Sequence, residues 1–374
     1  MKKLDKQKTI LVCPLDWGLG HATRCIPIIH FFTKQHHKVI VGSSGNQLAL
    51  LKNEFPDITF IDLKGYDIEY PKGDSMVTKM IIQLPKIKRA INDEHKWLEQ
   101  IIDELGIDMV VSDNRYGLLS KRVKSVLITH QIFIKAATGE WLIEKLLKSY
   151  LDNFDEVWIP DVEGEQNLSG DLSHKKALPS NYKFVGIQSR FSSLRVERSN
   201  LIEEYDFMVI ISGPEPQRTI FENLIIKQVK NTHLKGVLVR GLPEQNVIAN
   251  EVKQSFHIEI ASSVSLPRND EKLKIFNHLD TSQFIDYIQK SKVVISRSGY
   301  STIMDLATLG KKAILIPTPG QTEQEYLAKY HYEKGHFYTQ TQGEFNLEKC
   351  LKELENYEGI KLSANLLVSK SVFT

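Results

Sequence analysis

Residues Ser296 to Asp305 read SRSGYSTIMD, and this stretch decides the fold of the second half of the chain. It follows an apolar run at 292–295 that is typical of a buried strand, and apolar residues at helical spacing come after it. A small turn that leads into a helix presents free backbone N–H groups at the positive end of the helix dipole, which suits phosphate. Asp305 lies one helical turn beyond Ser301, so both side chains can face one ligand and the carboxylate can accept ribose hydroxyls. The alternative is an ordinary strand–turn–helix connection, with Asp305 on a solvated helix face.

The composition excludes several classes of protein. At 374 residues the chain is too long for one simple core and suits two domains. A formal net charge of +2 gives no broad basic surface, so we expect no nucleic-acid partner. The three cysteines lack metal-ligand spacing, and such a sparse, odd count is typical of a reducing compartment. No apolar run is long enough for a secretory signal or a membrane span. We therefore expect a cytoplasmic protein, with peripheral membrane contact left open.

Short apolar runs alternate with helix-like segments, which predicts an α/β fold of parallel sheets covered on both faces. The predicted strands are 9–13, 38–41, 58–61, 108–112, 125–129, 156–159, 207–211, 236–239, 292–295 and 313–316. The predicted helices of the second half are 216–230, 282–290, 301–309 and 322–334. Residues 186–206 are polar and lack periodicity, which predicts a linker. The pattern therefore predicts two Rossmann-like, doubly wound parallel-sheet domains that face a cleft, at 1–190 and 203–345. For the segment 346–374 we expect a helix that packs back towards the first domain.

Ligands of such sheets bind outside the carboxyl ends of the strands, so the loops there matter most. Gly18 and Gly20 follow the first predicted strand and permit a tight turn, but Thr23 takes the place of the third glycine of a dinucleotide fingerprint. His21, at the helix start, is either a base that titrates near neutral pH or a solvated polar residue. Four polar residues follow later strands at the same edge: Asp113, Asn114, His130 and Gln131. Their alternative role is turn and capping chemistry.

Two further strand-end loops belong to the second half. Ser212 and Gly213 follow the predicted strand 207–211, and the glycine permits a bend before the next helix. Gln324 and Glu325 lie near the start of the predicted helix 322–334, where they can bind sugar hydroxyls. Taken alone, each segment is also typical of an ordinary loop followed by an amphipathic helix.

Together these loops resemble the GT-B class of nucleotide-sugar glycosyltransferases, specifically the family 28 type, which includes a peptidoglycan-precursor N-acetylglucosaminyltransferase. SRSGYSTIMD is similar to the family signature SRSGxxTxxE, whose acid holds the donor ribose; Asp305 stands in place of Glu. The resemblance implies that Phe284 and Ile285 pack on a uracil ring, and that Ser212 and Gly213 face the diphosphate. It implies a donor site formed by Ser212, Gly213, Phe284, Ile285, Arg297, Ser298, Gly299, Tyr300, Ser301, Asp305, Gln324 and Glu325, where the family has Gln at the position of Glu325. On the acceptor side it implies Gly18, Gly20, His130 and Gln131.

The implied reaction moves a sugar, an N-acetylhexosamine or a hexose, from a UDP-sugar to an acceptor in the cell envelope. No Asp-x-Asp pair occupies a strand-end loop, so we expect metal-independent transfer with inversion, without a bound metal or cofactor. Helix N-termini would then take up the charge of the leaving diphosphate. A general base must activate the acceptor hydroxyl, and the candidates are His21, then Asp113, then Asp16.

A lipid-linked acceptor is suggested by two basic, apolar segments. Residues 76–91 include Lys79, Lys86, Lys88 and Arg89, and residues 141–148 include Trp141, Lys145 and Lys148. Such surfaces can lie on anionic bilayers. The alternative is core-facing helices with solvated lysines.

Three other functions are compatible with parts of this pattern. A nucleotide-sugar epimerase or hydrolase would share the donor site but use no acceptor. A non-catalytic nucleotide-sugar-binding protein would keep the glycines with a silent His21. An NAD-dependent oxidoreductase ranks lower, because the first loop lacks the full fingerprint and the 298–305 motif goes unexplained.

Overall fold

The computed structural model describes residues 6–66, 76–135, 140–192, 203–213, 215–242 and 272–362. Within these ranges the first half forms a seven-stranded sheet in the order β3-β2-β1-β4-β5-β6-β7. Its strands are β1 Thr9–Pro14, β2 Lys38–Ser43, β3 Thr59–Asp62, β4 Met109–Asp113, β5 Lys124–Ile128, β6 Glu156–Ile159 and β7 Tyr182–Phe184. Its helices are α1 Leu19–Lys34, α2 Gly45–Glu54, α3 Met76–Leu105, α4 Glu140–Leu151 and α5 Asp171–His174.

The second half forms a six-stranded sheet in the order β10-β9-β8-β11-β12-β13. Its strands are β8 Tyr205–Ile210, β9 Gly236–Val239, β10 Leu273–Phe276, β11 Ser291–Ser296, β12 Ala313–Leu315 and β13 Tyr338–Thr339. Its helices are α6 Gln217–Val229, α7 Thr281–Lys290, α8 Tyr300–Leu309, α9 Thr322–Glu333 and α10 Leu347–Glu353, followed by a 3₁₀ turn at Leu354–Asn356.

The predicted fold class, two Rossmann-like parallel sheets, is confirmed. All strand pairs of both sheets that lie in the described ranges are parallel. The central strand β1 is buried from Ile10 to Pro14, because helices cover both faces of the sheet. Each predicted strand appears within about two residues of its expected position, which is the usual uncertainty at element ends. The prediction missed β7, β10 and β13, which are short.

The strand order places the ligand-binding edges. In the first sheet the order reverses between β1 and β4, and in the second between β8 and β11. Doubly wound sheets bind ligands at such switch points, outside the strand ends. The loops that begin at 15, 114, 211 and 297 therefore define the candidate site.

One apolar cluster extends across the two halves. Leu168, Leu172 and Phe191 pack in one cluster with Ile303 and Leu306 of α8. The last α-helix of the described residues, α10, packs on the second sheet, since its buried residues join the cluster of Phe207. Residues 363–374 of the expected C-terminal segment lie outside the described part of the chain.

Candidate functional site

The first turn of α1 and the first turn of α8 meet where the two sheets face each other. The Ser301 hydroxyl donates to the carbonyl oxygen of Gly20 over 2.8 Å. A Cβ on Gly20 would lie 2.9 Å from that hydroxyl, so only glycine fits without a shift of its neighbour. The two loops that the sequence singled out, one in each half, are thus in direct contact.

Both helices begin without a side-chain cap. Gly18 precedes α1 with φ 114°, a conformation that favours glycine, and Gly299 precedes α8. Within the part of the chain that the structure describes, no side chain accepts from the first N–H groups of either helix, and the space beside both glycines is open. Two positive helix ends therefore lie at one edge, which is the arrangement that binds diphosphate.

His21, Arg24 and Asp113 form a hydrogen-bonded cluster beside these helix starts, in which Arg24 and Asp113 are buried and His21 is partly exposed. Asp113 is the last residue of β4 and fully buried, and its carboxylate accepts from both Nε and Nη2 of Arg24. Nδ1 of His21 lies 3.1 Å from Oδ1 of the same carboxylate. Burial opposes ionisation of Asp113, but Arg24 and His21 outweigh it and lower its pKa to about 2. The pairing keeps a carboxylate charged behind the histidine.

His130 continues this cluster towards the second half. Its Nδ1 lies 3.2 Å from Nη1 of Arg24, and its Nε2 lies 2.7 Å from Oε1 of Glu323 in α9. The side-chain amide of Gln131 also donates to Glu323. Glu323, one residue before Gln324, was not predicted as a site residue. No local pattern marks it, since the contact joins residues 193 positions apart.

Asp305 does not lie on a solvated helix face. Its side chain is 14% exposed, accepts from the Ser189 hydroxyl over 2.6 Å and lies 3.5 Å from Nε of Arg190. Burial raises the pKa of Asp305 above its ordinary value, although Arg190 opposes the shift. Arg190 in turn lies over the ring of Phe284, 4.1 Å from its centroid. The segment predicted only as a linker thus supplies two polar side chains next to the motif.

Several predicted donor-site side chains bind other parts of the protein. Arg297 is fully buried and donates to the carbonyl oxygens of Ile316 and Gln217. The Ser298 hydroxyl donates to the carbonyl oxygen of Gln324. These contacts hold the loop after β11 against the loops after β8 and β12.

The other members of that set take varied positions. Tyr300 stacks on His130, with ring centroids 4.0 Å apart and planes 8° from parallel. Gln324 and Glu325 accept from the backbone N–H groups of Thr318 and Gly320. Phe284 is buried in the core with Ile285 packed beside it, and Ser212 and Gly213 follow β8, with φ 101° at the glycine.

Asp16 lies in a different cluster from His21. It accepts from the backbone N–H of Tyr66 and lies 3.7 Å from Nη2 of the buried Arg115, which also donates to Glu94 over 2.6 Å. Its carboxylate therefore supports the loops that follow β1 and β3. Among the described residues no group of three metal-ligating side chains could hold an ion.

The basic, apolar segments are only partly described. Side chains 76–82 and 84 lie outside the described residues, while Lys88 and Arg89 of α3 are exposed. In α4, Trp141 is 70% exposed and Leu146 is 47% exposed. Within the ranges given above, no helix has both the length and the apolar character needed to cross a bilayer.

Comparison with known proteins confirms the resemblance suggested by the motifs. The profile of the glycosyltransferase family 28 C-terminal domain matches residues 223–363. A UDP-N-acetylglucosamine–N-acetylmuramyl-(pentapeptide) pyrophosphoryl-undecaprenol N-acetylglucosamine transferase from Histophilus somni (strain 129Pt) is 24% identical over 373 residues, which cover 96% of this chain and 92% of that protein. Two solved structures share the fold at 12% identity. The spinosyn rhamnosyltransferase SpnG has a TM-score of 0.60, with 97% of this chain and 95% of that chain covered. A structure from Listeria monocytogenes that is described as a UDP-N-acetylglucosamine 2-epimerase has a TM-score of 0.58, with 96% of this chain and 93% of that chain covered.

Proposed function

We propose that this chain, a glycosyltransferase of the GT-B fold, moves a sugar from a UDP-sugar to a lipid-linked acceptor, with inversion and without a metal ion. The observation that carries the proposal is the meeting of two parts. The histidine of a histidine–aspartate pair in the first half directly follows Gly20, which contacts Ser301 where the uncapped helix α8 begins. A candidate base and a candidate anion site therefore lie next to each other, as transfer of a sugar from a diphosphate to a hydroxyl requires.

The proposed base is the tautomer of His21 whose Nδ1–H donates to Asp113, 3.1 Å away, because Nε2 then carries the lone pair; Nη2 of Arg24 lies 2.9 Å from the same Nδ1. Among the described residues none makes a hydrogen bond with that Nε2. In the proposed step Nε2 takes the proton of the acceptor hydroxyl, whose oxygen attacks the anomeric carbon. The bond from that carbon to the diphosphate oxygen breaks, and the N-terminus of α8 stabilises the departing charge.

The proposal predicts a selective defect in His21→Ala. A general base contributes about 10²–10⁴-fold, so transfer of labelled N-acetylglucosamine from its UDP form into the lipid extract of bacterial membranes should fall by that factor. UDP affinity by calorimetry should stay within about twofold. His233→Ala, a change at an exposed histidine, is the control. Full transfer by the variant would remove His21 as the base, and lost UDP affinity with unchanged turnover would make it a binding residue.

The donor site is proposed around Asp305, Ser212 and Gly213. Asp305 is held by Ser189 and Arg190 in the second turn of α8, one helical turn beyond Ser301 of the proposed diphosphate site. Asp305→Ala should weaken UDP binding about tenfold or more, since a hydrogen bond to a charged group is involved. Unaltered UDP affinity in the calorimeter would refute the ribose assignment.

We further propose that the protein works at the cytoplasmic face of a membrane. The exposed Trp141 and Leu146 of α4 combine apolar surface with the neighbouring lysines 145 and 148. Trp141→Ser should reduce co-sedimentation with vesicles that contain about 30% phosphatidylglycerol, while the wild type should not bind vesicles of phosphatidylcholine alone. Equal sedimentation with both lipids would contradict the proposal.

The second candidate function, epimerisation or hydrolysis of the nucleotide-sugar, shares the fold. It requires that UDP-N-acetylglucosamine alone yields an isomer or free sugar. Incubation without acceptor, followed by chromatography of the sugar products, separates the two functions.

A further inference from the structure

Buried polar atoms without a hydrogen-bond partner are concentrated at one edge of the two sheets. A folded protein normally pairs such atoms, because an unpaired one has lost its bonds to water, and the exceptions mark places that take a ligand, an ion or an ordered water. In the part of the chain that the structure describes, eight side-chain atoms are of this kind. They belong to Trp17, Asn114, Arg115, Gln188, Arg190, Ser296, Arg297 and Thr318. Each of these residues ends a strand or lies in the segment that follows its carboxyl end, which is the edge where such sheets bind ligands.

Three of these atoms come from the first half, and no step of the proposed transfer uses them. Trp17 lies in the loop after β1, and Asn114 and Arg115 directly follow β4. The two strands are paired, and the strand order of the first sheet reverses between them. The loop after β1 leads to His21, the proposed base. The unpaired atoms therefore lie near the place that an acceptor has to reach.

Trp17 and Arg115 both lie against the ring of Tyr66. The ring centroids of Trp17 and Tyr66 are 6.2 Å apart with planes at 80°, and the guanidinium carbon of Arg115 is 5.7 Å from the Tyr66 centroid. Nη1 of Arg115 donates to Glu94 over 2.6 Å, so the charge of the arginine already has a partner. Its Nη2 makes no hydrogen bond within the described ranges and lies 3.7 Å from Oδ1 of Asp16. Two unused donors, this Nη2 and the indole N–H of Trp17, thus accompany a carboxylate.

The gap between Nη2 of Arg115 and Oδ1 of Asp16 fits one oxygen atom of a ligand. A separation of 3.7 Å is too long for a hydrogen bond, but an oxygen at about 2.8 Å from both atoms can accept from the guanidinium and donate to the carboxylate. A hydroxyl group can do both, whereas a phosphate oxygen only accepts and would meet the charge of Asp16. A sugar supplies such hydroxyls, and the C–H face of its ring can pack on an aromatic side chain such as Trp17.

We propose that Asp16, Trp17 and Arg115 bind a sugar ring of the acceptor, which makes the acceptor a saccharide carried on a lipid. The proposal rests on the proposed function and names the chemical class of its acceptor. One hydroxyl of the ring bridges Arg115 and Asp16, and the indole N–H of Trp17 donates to a second oxygen of the same sugar.

Two conservative variants test the site in the full-length protein. In Asp16→Asn the amide oxygen can still accept from the backbone N–H of Tyr66, and Trp17→Phe keeps an aromatic ring. Asp206→Asn is the matched control. Asp206 is 27% exposed, against 21% for Asp16, and its ion pair with Lys292 lies near the amino end of β8, away from the ligand-binding edge.

The first measurement is tryptophan fluorescence in the presence of UDP, titrated with the methyl glycosides of N-acetylglucosamine, glucose, galactose and mannose. At least one glycoside should change the emission saturably, and Trp17→Phe should abolish that change. The dissociation constant should rise about tenfold or more in Asp16→Asn, the effect of one hydrogen bond to a charged group, and stay within about twofold in Asp206→Asn. Inorganic pyrophosphate should neither produce this change nor displace the glycoside.

The second measurement is transfer into the lipid extract at increasing extract concentrations. Asp16→Asn should raise the half-saturating concentration by the same factor and leave kcat and UDP affinity unchanged, because the lost bond holds the acceptor before and during the reaction.

Three results would overturn the proposal. The first is that no glycoside produces an emission change that depends on Trp17. The second is displacement of the glycoside by pyrophosphate, which would assign the site to a phosphate group of the acceptor. The third is an Asp16→Asn enzyme with a lower kcat at an unchanged half-saturating concentration. The titration needs no transfer, so transferase activity without a Trp17 signal would keep the proposed function and remove only this site.

Discussion

Replacement of Asp113 by asparagine should destabilise the first half more than any surface change. Asp113 is fully buried, and its partner Arg24 is 2% exposed. Removal of one member of a buried ion pair costs about 3–5 kcal/mol, because the other charge stays without a partner. The pKa gives a separate figure: a fall from 3.8 to about 2 corresponds to about 2.4 kcal/mol. The cost of removing one member of the pair is the larger of the two figures because it also includes the charge of Arg24 that stays buried without a partner.

The same reasoning sets the dependence on pH. The folded-state pKa of Asp113 lies below its unfolded value, so its contribution is complete above about pH 4 and is lost as the pH falls towards 2. The difference in the free energy of unfolding between wild type and Asp113→Asn should therefore narrow by about 1 kcal/mol between pH 7 and pH 3.

Urea unfolding followed by tryptophan fluorescence measures both quantities. The double variant Arg24→Met/Asp113→Asn is the control, since it removes both charges and should recover much of the loss. A loss below about 1 kcal/mol in the single variant would refute the reasoning. Two other results would also refute it. One is a double variant whose loss of unfolding free energy equals the sum of the losses in the two single variants. The other is a difference between wild type and Asp113→Asn that does not change with pH.

Two further predictions concern packing between the halves and the loop after β11. Gly170→Ala places a Cβ 2.4 Å from the Tyr326 hydroxyl, at a backbone φ of 54°. It should lower the free energy of unfolding by about 1–3 kcal/mol, and Tyr326→Phe should recover part of that loss. No recovery would show that backbone strain alone is responsible. Arg297→Met leaves buried carbonyl oxygens without a donor and should cost about 3 kcal/mol, against less than about 1 kcal/mol for Arg122→Met at the exposed pair with Asp103; equal losses in thermal unfolding would contradict the buried role.

The fold could be predicted because its signals are local. The predicted strands appear in the sequence as apolar runs of a few residues. The glycines before α1 and α8 mark where a helix starts close to the end of a strand. Of the strands that were missed, β7 and β13 have three and two residues, and β10 is as long as β9 but Lys274 interrupts its apolar residues. β13 has two residues, Tyr338 and Thr339, and exists because β12 pairs with it.

Only the site residues that lie at the ends of strands could be predicted from the sequence. His21 lies shortly after β1 and Asp113 ends the neighbouring strand β4, so topology alone brings them together. Glu323 and Arg190 meet their partners through packing of one half on the other, which no pattern in the sequence encodes. Arg297 shows the converse: it belongs to the motif, but burial directs its donors to backbone carbonyls.

The apolar cluster that joins Leu168, Leu172 and Phe191 to α8 bears on how the chain can be divided. A fragment that began near residue 203 would leave the inner side of α8 facing water and should aggregate. A fragment that began near residue 160 would include Leu168, Leu172 and Phe191, which cover that side of α8. Each fragment can be mixed with the N-terminal fragment that ends where it begins. The pair that re-forms a one-to-one complex would locate the boundary between the cooperative folding units of this polypeptide.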